Sequence, residues 1–563
     1  MSGTHQWKNS VVYQIYPRSF YSKHNRATGD LAGIIAKLDY LQWLGVDYLW
    51  LCPVYPSPQC DNGYDVSNYC DIDPAFGTLD EFRELVAQAG RRGIRIMMDI
   101  VVNHTSTEHP WFQAARASRD NRYRDFYIWR DKPNRWQSKF GGSAWELDEA
   151  SGQYYLHLFD KGQADLNWEN PCVRKAVVEI VRFWRDLGVK GFRFDVINLI
   201  SKCPLMSDDD SDGRAFYTDG PRVHEYLRQI YQEVFAGTDL ISVGEMSSTT
   251  LQHCLDYTHP ERQELSMAFS FLHMKVDYPN GQKWVKAAPD FIELKRVMGE
   301  WQNGMHAGNG WNALFWCNHD QPRIVSRFGD DGRYRVESAK MLATALHCLQ
   351  GTPYVYQGEE IGMGNPHFET IEQYRDIETH NAYQRLLAEG LAPSQALAVI
   401  SQKSRDNSRT PMQWDGSPHA GFSTHAPWID LCRDYREVNV ASARRDPDSV
   451  LHHYRKLIAL RKTLPLLVNG AYQDLLPAHP QLWAYLRYDA ESALLVLNNL
   501  SDEASEFLLP DGANELLPQG RPHEARLIIA NYLDREHEHG REKNAGFHRV
   551  LLRPYESLAL HFT

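Results

Sequence analysis

Short apolar runs alternate along most of the chain with stretches whose apolar residues recur at helical spacing. Eight runs are apolar on both faces and end in polar residues, which is typical of buried parallel strands. They are Val11–Tyr16, Tyr48–Leu51, Ile94–Val102, Gly191–Asp195, Leu240–Gly244, Leu265–Phe271, Ala313–Cys317 and Tyr354–Tyr356. Helices are predicted between many of these runs, at Leu31–Leu44, 78–93, Val173–Leu187, Val223–Phe235, Phe291–Met305 and Val336–Leu349.

This alternation predicts an α/β fold, a (β/α)₈ TIM barrel. A doubly wound sheet is the alternative, but it usually carries a G-x-G-x-x-G fingerprint after its first strand, and none is found there. Thr78 and Glu81 form a capping-box pattern that predicts the start of one barrel helix.

Two regions interrupt the alternation. Residues 104–171 follow the third run, are rich in Trp, Tyr, Gly and Asp, and are too long for a simple loop, so we predict an inserted subdomain. After a helix predicted at Ser449–Leu464, alternating stretches such as Leu482–Tyr488 and Ala493–Leu500 predict a C-terminal β domain. The predicted domains are a barrel (1–103 and 172–465), the insertion (104–171) and the C-terminal domain (466–563).

Composition narrows the class of protein. The 563 residues include 60 basic and 72 acidic side chains, a net charge of -12, which argues against a nucleic-acid partner. We find no apolar run of about 18 residues, and the first ten residues do not resemble a secretory signal, so we expect a cytoplasmic protein with no membrane partner. The nine cysteines are scattered without a CxxC pair, as in proteins of reducing compartments. Nothing in the pattern predicts an oligomeric state.

Polar residues stand where the predicted strands end, which is where barrel enzymes place their chemistry. They are Asp99, His104, Arg193, Asp195, Glu245, His319 and Asp320. Arg193 and Asp195 are two residues apart on a strand and face the same side, so the cation would keep the carboxylate ionised as a nucleophile. A second, desolvated carboxyl would be a general acid. This pairing is the machinery of glycoside hydrolysis, and a separation of about 5 Å would mean retention of configuration.

Two alternatives stand beside this interpretation. Single carboxylates at strand ends are often loop hydrogen-bond acceptors or helix caps. Zinc binding by His104 and His319 is another possibility, although their spacing matches no metal motif.

Four segments together resemble the conserved regions of the α-amylase family of glycoside hydrolases: 99–104, 191–195, 243–245 and 317–320. A fifth, 163–167, resembles the form found in the oligo-1,6-glucosidase group of that family. The resemblance covers nearly the whole chain. It implies a catalytic barrel, a subdomain after the third strand and a C-terminal antiparallel β-sandwich.

The resemblance also implies roles for individual residues. Asp195 would be the nucleophile, Glu245 the general acid/base, and Asp320 would bind sugar hydroxyls and stabilise the transition state. Three further residues would line the same sugar site: Arg193, His104 and His319.

A closed glucose pocket is implied as well. Asp61 and Tyr64 resemble the pair that holds the terminal glucose, with the tyrosine ring beneath it. Arg405 would pair with Asp61 and close the pocket, and Arg409 would lie nearby, although a surface position for Arg409 stays open. Exo-action on one terminal glucose would follow. Val196, directly after the nucleophile, accompanies linkages other than α-1,4 in this group.

Many relatives carry a calcium loop shortly after the first strand. Here Ser22, His24 and Arg26 stand at its expected acidic positions, and calcium requires several oxygen ligands. We therefore expect no metal at this position, and the chemistry requires no cofactor.

Two stretches, 243–249 and 269–284, resemble family members that act on trehalose 6-phosphate. Hydrolysis of this phosphorylated disaccharide to glucose and glucose 6-phosphate is the implied activity. A phosphate on the second sugar requires cationic donors beyond the scissile bond. Lys275, Lys283 and Lys286 follow the sixth strand and are candidates, each with a solvated surface position as the alternative. Lys202, Arg214 and Arg222 follow the fourth strand and could contribute.

Two rival functions stay open. One is an oligo-1,6-glucosidase acting on isomaltose-type oligosaccharides. The other is a non-catalytic member of the family that keeps the barrel as a binding module. Sucrose isomerisation is disfavoured because an Arg- and Asp-rich stretch expected after the seventh strand is replaced by residues 321–328.

Overall fold

Eight parallel strands form one sheet around the centre of the molecule, in a computed structural model that describes residues 7–202, 211–518, 525–535 and 547–563. In chain order the strands are Val12–Ile15, Tyr48–Leu51, Arg95–Ile100, Gly191–Phe194, Ile241–Met246, Met267–Ser270, Ala313–Phe315 and Thr352–Tyr356. The first strand pairs with both the second and the eighth. A parallel bridge between Ala268 and Asn312 joins the sixth strand to the seventh, so the sheet closes into a TIM barrel. The doubly wound alternative is therefore wrong.

Helices surround the barrel because each buries an apolar stripe against the sheet. The main ones are Leu31–Ala36, Leu38–Leu44, Leu79–Arg91, Pro171–Asp186, Val223–Ile230, Leu251–Thr258, Phe291–Ala307, Ile324–Phe328, Arg335–His347 and Val450–Thr463. The capping box forms as predicted, since Thr78 accepts the Glu81 N–H and Glu81 accepts the Thr78 N–H.

Two predicted helices differ in detail. The stretch predicted as one helix at Leu31–Leu44 is two, because Lys37 leaves the helical region with φ −105° and ψ 4°. The stretch predicted at Val223–Phe235 changes after Ile230 into a π-helical turn, Tyr231–Phe235.

Two small antiparallel sheets and a helix, Pro110–Ala117, lie between the third and fourth barrel strands. One sheet joins Trp129–Arg130, Gln153–Leu156 and Trp145–Asp148. The other pairs His104–Ser106 with Gln163–Asp165, with His104 opposite Asp165. This second pairing anchors the insertion directly at the end of the third barrel strand, over the barrel mouth.

The chain after the eighth strand covers another part of the mouth before it leaves the barrel. Its helices are Ile377–Ala388, Pro393–Lys403, Asp406–Arg409 and Val440–Arg445. A short helix, Leu466–Asn469, then leads to a five-stranded antiparallel sheet and a two-stranded one. The sheet strands are Ala471–Asp474, Leu482–Tyr488, Ala493–Asn499, Ser557–Phe562 and Arg526–Ala530, and the pair is Ser505–Leu508 with Arg549–Leu552. Both sheets share one apolar core, so the C-terminal part has its own hydrophobic interior. The exact domain boundaries stay a prediction.

Eight cysteines are described and all are free thiols; five are buried, and Cys60, Cys70 and Cys172 are exposed. Cys203 lies outside the described residues. Within the described ranges, no helix has the length and apolar character needed to cross a membrane.

Candidate active site

Three carboxylates and one arginine meet at the carboxyl end of the barrel. The parallel register places Asp99 of the third strand beside Arg193 of the fourth. It also pairs Gly244 of the fifth strand with Phe194 of the fourth. Glu245 and Asp195 directly follow these two residues, so they lie side by side. Because side chains alternate along strands, Asp195 projects to the same side as Arg193, one layer further toward the barrel mouth, and Glu245 lies level with it.

Arg193 binds all three carboxylates at once. Its Nη1 lies 2.8 Å from Asp99 Oδ1 and 2.5 Å from Asp195 Oδ1, and its Nη2 lies 2.5 Å from Glu245 Oε2. The guanidinium side chain is only 1% exposed. A buried guanidinium with three charged partners is fixed in place, so it determines where the two mouth carboxyls stand.

Burial acts strongly on both mouth carboxyls. It raises the pKa of Glu245 to about 8, against the opposing charge of Arg193 and with the help of Asp195 and Asp320. Burial also raises the pKa of Asp195 above its usual range, although Arg193 lowers it. Glu245 is therefore the carboxyl that keeps its proton near neutral pH.

The backbone after Asp195 is strained. Val196 has φ 36° and ψ 41°, a left-handed conformation that is unusual for a β-branched residue. In this conformation its N–H donates to Glu245 Oε2 at 3.2 Å. The strained turn thus connects the Asp195 strand end to the Glu245 side chain.

Asp320, also at the mouth, is held by two arginines and a histidine. Its Oδ1 lies 2.8 Å from Arg409 Nη2 and 3.2 Å from Arg405 Nη1, and its Oδ2 lies 3.3 Å from His319 Nε2. Burial would raise the pKa of Asp320, but His319, Arg405 and Arg409 outweigh it and bring that pKa below its usual range. Asp320 is thus ionised in the folded protein near neutral pH.

Arg405 closes the inner end of the mouth. Its Nη2 lies 3.0 Å from Asp61 Oδ1 and 2.5 Å from Asp376 Oδ1. Asp61 also accepts a hydrogen bond from Gln163, a residue of the insertion. A continuous bridge therefore runs from the insertion through Asp61 and Arg405 to the helix that begins after Asp376.

An aromatic and imidazole floor lies beneath this bridge. Tyr64 stacks on His319 with ring centroids 5.1 Å apart and planes 6° apart, and its hydroxyl donates to Asp99 Oδ2. His104 Nε2 lies 3.0 Å from the Tyr64 carbonyl. Burial lowers the pKa of His104 to about 4 and that of His319 to about 3, so both imidazoles are neutral near pH 7.

These groups surround one cavity of about 240 Å³. Nine predicted site residues line it: Asp61, Tyr64, His104, Asp195, Glu245, Lys275, Lys283, Asp320 and Arg405. Arg193, His319 and Arg409 are buried behind its wall and contact the lining carboxylates. The surface position considered for Arg409 is wrong, since its side chain is 1% exposed.

The other predicted basic residues are not brought to the cavity. Lys202 is buried and its ammonium binds Asp165 and Asn103. Arg222 pairs with Glu169 and Glu225 at the surface. Arg214 and Lys286 are exposed and do not line the cavity. The idea that Lys202 and Arg222 contribute to an anion site is therefore wrong, because carboxylates of the protein already neutralise them.

Several lining residues were not named by the sequence analysis, among them Lys139, Ser247 and Glu378. Lys139 comes from the insertion and Glu378 from the helix Ile377–Ala388, so neither follows a barrel strand. Ser247 lies two residues after Glu245, within the stretch 243–249 that the resemblance had already marked.

Asp30, the acidic residue of the loop expected to lack calcium, accepts hydrogen bonds from the backbone. Asp30 caps the helix Leu31–Ala36 by accepting the Gly33 N–H, and it also accepts the Lys23 and His24 N–H groups. Among the residues that the structure describes, no group of three His, Cys, Asp or Glu side chains is arranged to hold a metal ion.

The barrel, the insertion and the mouth carboxylates define a glycoside hydrolase architecture, and the chain belongs to the α-amylase family. The model of the α-amylase catalytic domain matches residues 14–470. The chain is 54% identical to trehalose-6-phosphate hydrolase of Bacillus subtilis (strain 168), over 99% of this chain and 98% of that protein. It is 50% identical to an oligo-1,6-glucosidase of Parageobacillus thermoglucosidasius, over 98% of both. The crystal structure of Bacillus licheniformis trehalose-6-phosphate hydrolase superposes with a TM-score of 0.93 at 52% identity, covering 99% of this chain and 100% of that one.

Proposed function

We propose that this protein hydrolyses trehalose 6-phosphate to glucose and glucose 6-phosphate with retention of configuration. The observation that carries the proposal is a single cavity with a closed, acidic inner end and lysines on its outer side. We assign the unsubstituted glucose to the inner end and the phosphorylated second sugar to the outer side. The similarity to two trehalose-6-phosphate hydrolases supports this assignment.

The closed end favours exo-action. Arg405 bridges Asp61 and Asp320, so a sugar chain cannot continue past the glucose bound there. Asp61 and Asp320 offer carboxylate oxygens to the hydroxyls of that glucose. One terminal glucose is therefore removed at a time.

The mouth carboxyls support a double displacement. Asp195 and Glu245 bind the two ends of one guanidinium, which fits the close spacing, about 5 to 5.5 Å, of retaining glycosidases. Glu245 would protonate the departing glycosidic oxygen while Asp195 attacks the anomeric carbon and forms a glucosyl-enzyme. Glu245, now ionised, would then take a proton from water as that water releases α-glucose and frees Asp195.

The same groups predict a bell-shaped pH dependence of kcat/KM. Asp195 must be ionised to attack, so activity falls as the pH drops through its raised pKa. Glu245 must be protonated to act as an acid, so activity falls as the pH rises through about 8. The wild-type profile is measured with trehalose 6-phosphate, whose sugar leaving group needs acid assistance. p-Nitrophenyl α-glucoside, whose leaving group needs little such assistance, should show a weaker alkaline limb, and equal alkaline limbs for the two substrates would contradict the assignment of Glu245.

A second candidate is an oligo-1,6-glucosidase acting on isomaltose-type sugars. One observation favours it: the Lys283 ammonium is bound by both oxygens of Glu378, at 2.8 and 2.9 Å, which cancels one predicted phosphate-binding charge. The similarity to an oligo-1,6-glucosidase at 50% identity points the same way.

Glucose release from trehalose 6-phosphate and from isomaltose, measured side by side, separates the two functions. We expect kcat/KM for the phosphosugar to exceed that for isomaltose by about 100-fold, since charge-assisted contacts to phosphate are absent for isomaltose. Asp195→Asn is the blank. A preference for isomaltose would leave the mechanism intact and reject the phosphorylated substrate.

A further inference from the structure

The inserted subdomain delivers one cation to the outer side of the cavity. The Lys139 Nζ lies 3.0 Å from Ser247 Oγ, across the cleft between the insertion and the fifth barrel strand. Ser247 is two residues beyond Glu245, at the first position after the fifth barrel strand. The Lys139 ammonium therefore lies just beyond the general acid, on the side where a leaving sugar would stand.

Lys139 is held in place, and among the described residues it forms no ion pair with a carboxylate. Its backbone N–H donates to the Leu158 carbonyl, and its ammonium lies 5.3 Å from the centre of the Tyr217 ring. In the described ranges, no carboxylate lies within 4 Å of the ammonium of Lys139 or of Lys275. Lys275 lines the same cavity from the segment after the sixth strand.

Burial and neighbouring positive charge both disfavour the protonated form of these two lysines. Burial, together with the nearby charges of Arg214 and Lys275 and against those of Glu245 and Asp212, lowers the pKa of Lys139 to about 8. Burial and Arg214 also lower the pKa of Lys275. Placing two like charges in a partly desolvated cavity costs free energy that a bound anion would return.

Lys283 is different. Both oxygens of Glu378 hold its ammonium, and Glu378 Oε2 in turn lies 3.4 Å from Arg405 Nε. Lys283 therefore neutralises Glu378, which would otherwise attract Arg405 more strongly. Arg405 is the residue that closes the glucose pocket.

We propose that Lys139 of the insertion and Lys275 of the segment after the sixth strand, which line the same cavity, bind the phosphate of the leaving sugar, and that Lys283 positions Glu378 and Arg405 without touching the phosphate. The assignment rests on the proposed function, because it presumes a phosphorylated second sugar. It makes the insertion a determinant of substrate choice as well as a cover for the barrel mouth.

The test compares Lys139→Met, Lys275→Met and Lys283→Met, with exposed Lys132→Met of the insertion as the matched control. Each variant is assayed with trehalose 6-phosphate and with p-nitrophenyl α-glucoside, which has no phosphate. The measured quantity is kcat/KM for trehalose 6-phosphate divided by kcat/KM for p-nitrophenyl α-glucoside. Lys139→Met and Lys275→Met should each lower this ratio by about 10- to 100-fold, which corresponds to the loss of one charge-assisted hydrogen bond. Lys139→Arg should recover most of that ratio. Lys132→Met should match wild type on both substrates.

Lys283→Met should lower kcat/KM for both substrates together and leave their ratio within about threefold of wild type, since it acts through Arg405. Adding Glu378→Gln to Lys283→Met should recover activity on the phosphate-free glucoside. Glucose 6-phosphate as an inhibitor gives an independent measure: its inhibition constant should rise in Lys139→Met and Lys275→Met and not in Lys132→Met.

The outcomes separate this inference from the proposed function. A wild type that does not prefer trehalose 6-phosphate rejects the proposed function itself. A wild type that does prefer it, with an unchanged ratio in Lys139→Met or a collapsed ratio in Lys283→Met alone, overturns the assignment of the phosphate to Lys139 and Lys275.

Discussion

Asp195→Asn is expected to lower glucose release by about 10⁴-fold or more while leaving the fold intact, the size of effect seen when a catalytic nucleophile or its partner is removed. Asparagine has nearly the same shape as aspartate, but its amide cannot attack the anomeric carbon. In the structure Asp195 pairs with Arg193 and lines the cavity together with Glu245. The loss should therefore appear in kcat for every substrate, with or without phosphate.

Covalent labelling makes this prediction specific to the nucleophile. Intact-mass measurement after a mechanism-based glucoside inhibitor should show one adduct on the wild type, mapped to Asp195, and none on Asp195→Asn. Exposed Asp120→Asn is the control and should label like the wild type. A wild type that binds glucosides but forms no adduct would support the non-catalytic alternative, a binding module that keeps the barrel.

Arg405→Met is expected to lower kcat/KM by about 10³-fold, because breaking a buried ion pair by removing one partner costs about 3–5 kcal/mol. Arg405 contacts Asp61, Asp320 and Asp376, and its side chain is 8% exposed. Without it, the inner end of the cavity would hold three carboxylates with less compensation. Asp61 and Asp320 would then repel each other where the glucose binds.

The loss of activity in Arg405→Met should also show a characteristic dependence on the substrate. Because Arg405 closes the glucose pocket and not the outer side, trehalose 6-phosphate and p-nitrophenyl α-glucoside should lose kcat/KM equally, and inhibition by free glucose should weaken. Arg405→Lys should recover little, since an ammonium cannot span carboxylates that the planar guanidinium binds together. Exposed Arg445→Met is the control. Activity within tenfold of wild type in Arg405→Met would show that the bridge is not needed to bind the terminal glucose.

Much of this protein follows from local patterns. All eight barrel strands were predicted within a few residues, because a buried parallel strand is apolar on both faces and leaves a continuous signal in the sequence. Asp195, Glu245 and Asp320 could be selected because strand ends of a closed barrel meet at one rim, so positions far apart in the chain become neighbours once the fold is predicted. Arg193 and Asp195 were paired correctly by the two-residue repeat of a strand.

Tertiary structure decided the charges around the mouth. Lys202 and Lys275 are both lysines shortly after a strand, yet one is neutralised by Asp165 and the other has no acidic partner in the described part of the chain. Lys283 was predicted to bind phosphate, but it pairs with Glu378, 95 residues away. Lys139 gave no signal at all, because its place in the cavity depends on how the insertion folds back over the barrel. The electrostatic environment of a side chain is set by residues that can be distant in sequence. Local pattern therefore determines the strands and the positions of the carboxylates. Only the folded chain determines which cations remain available to bind a substrate.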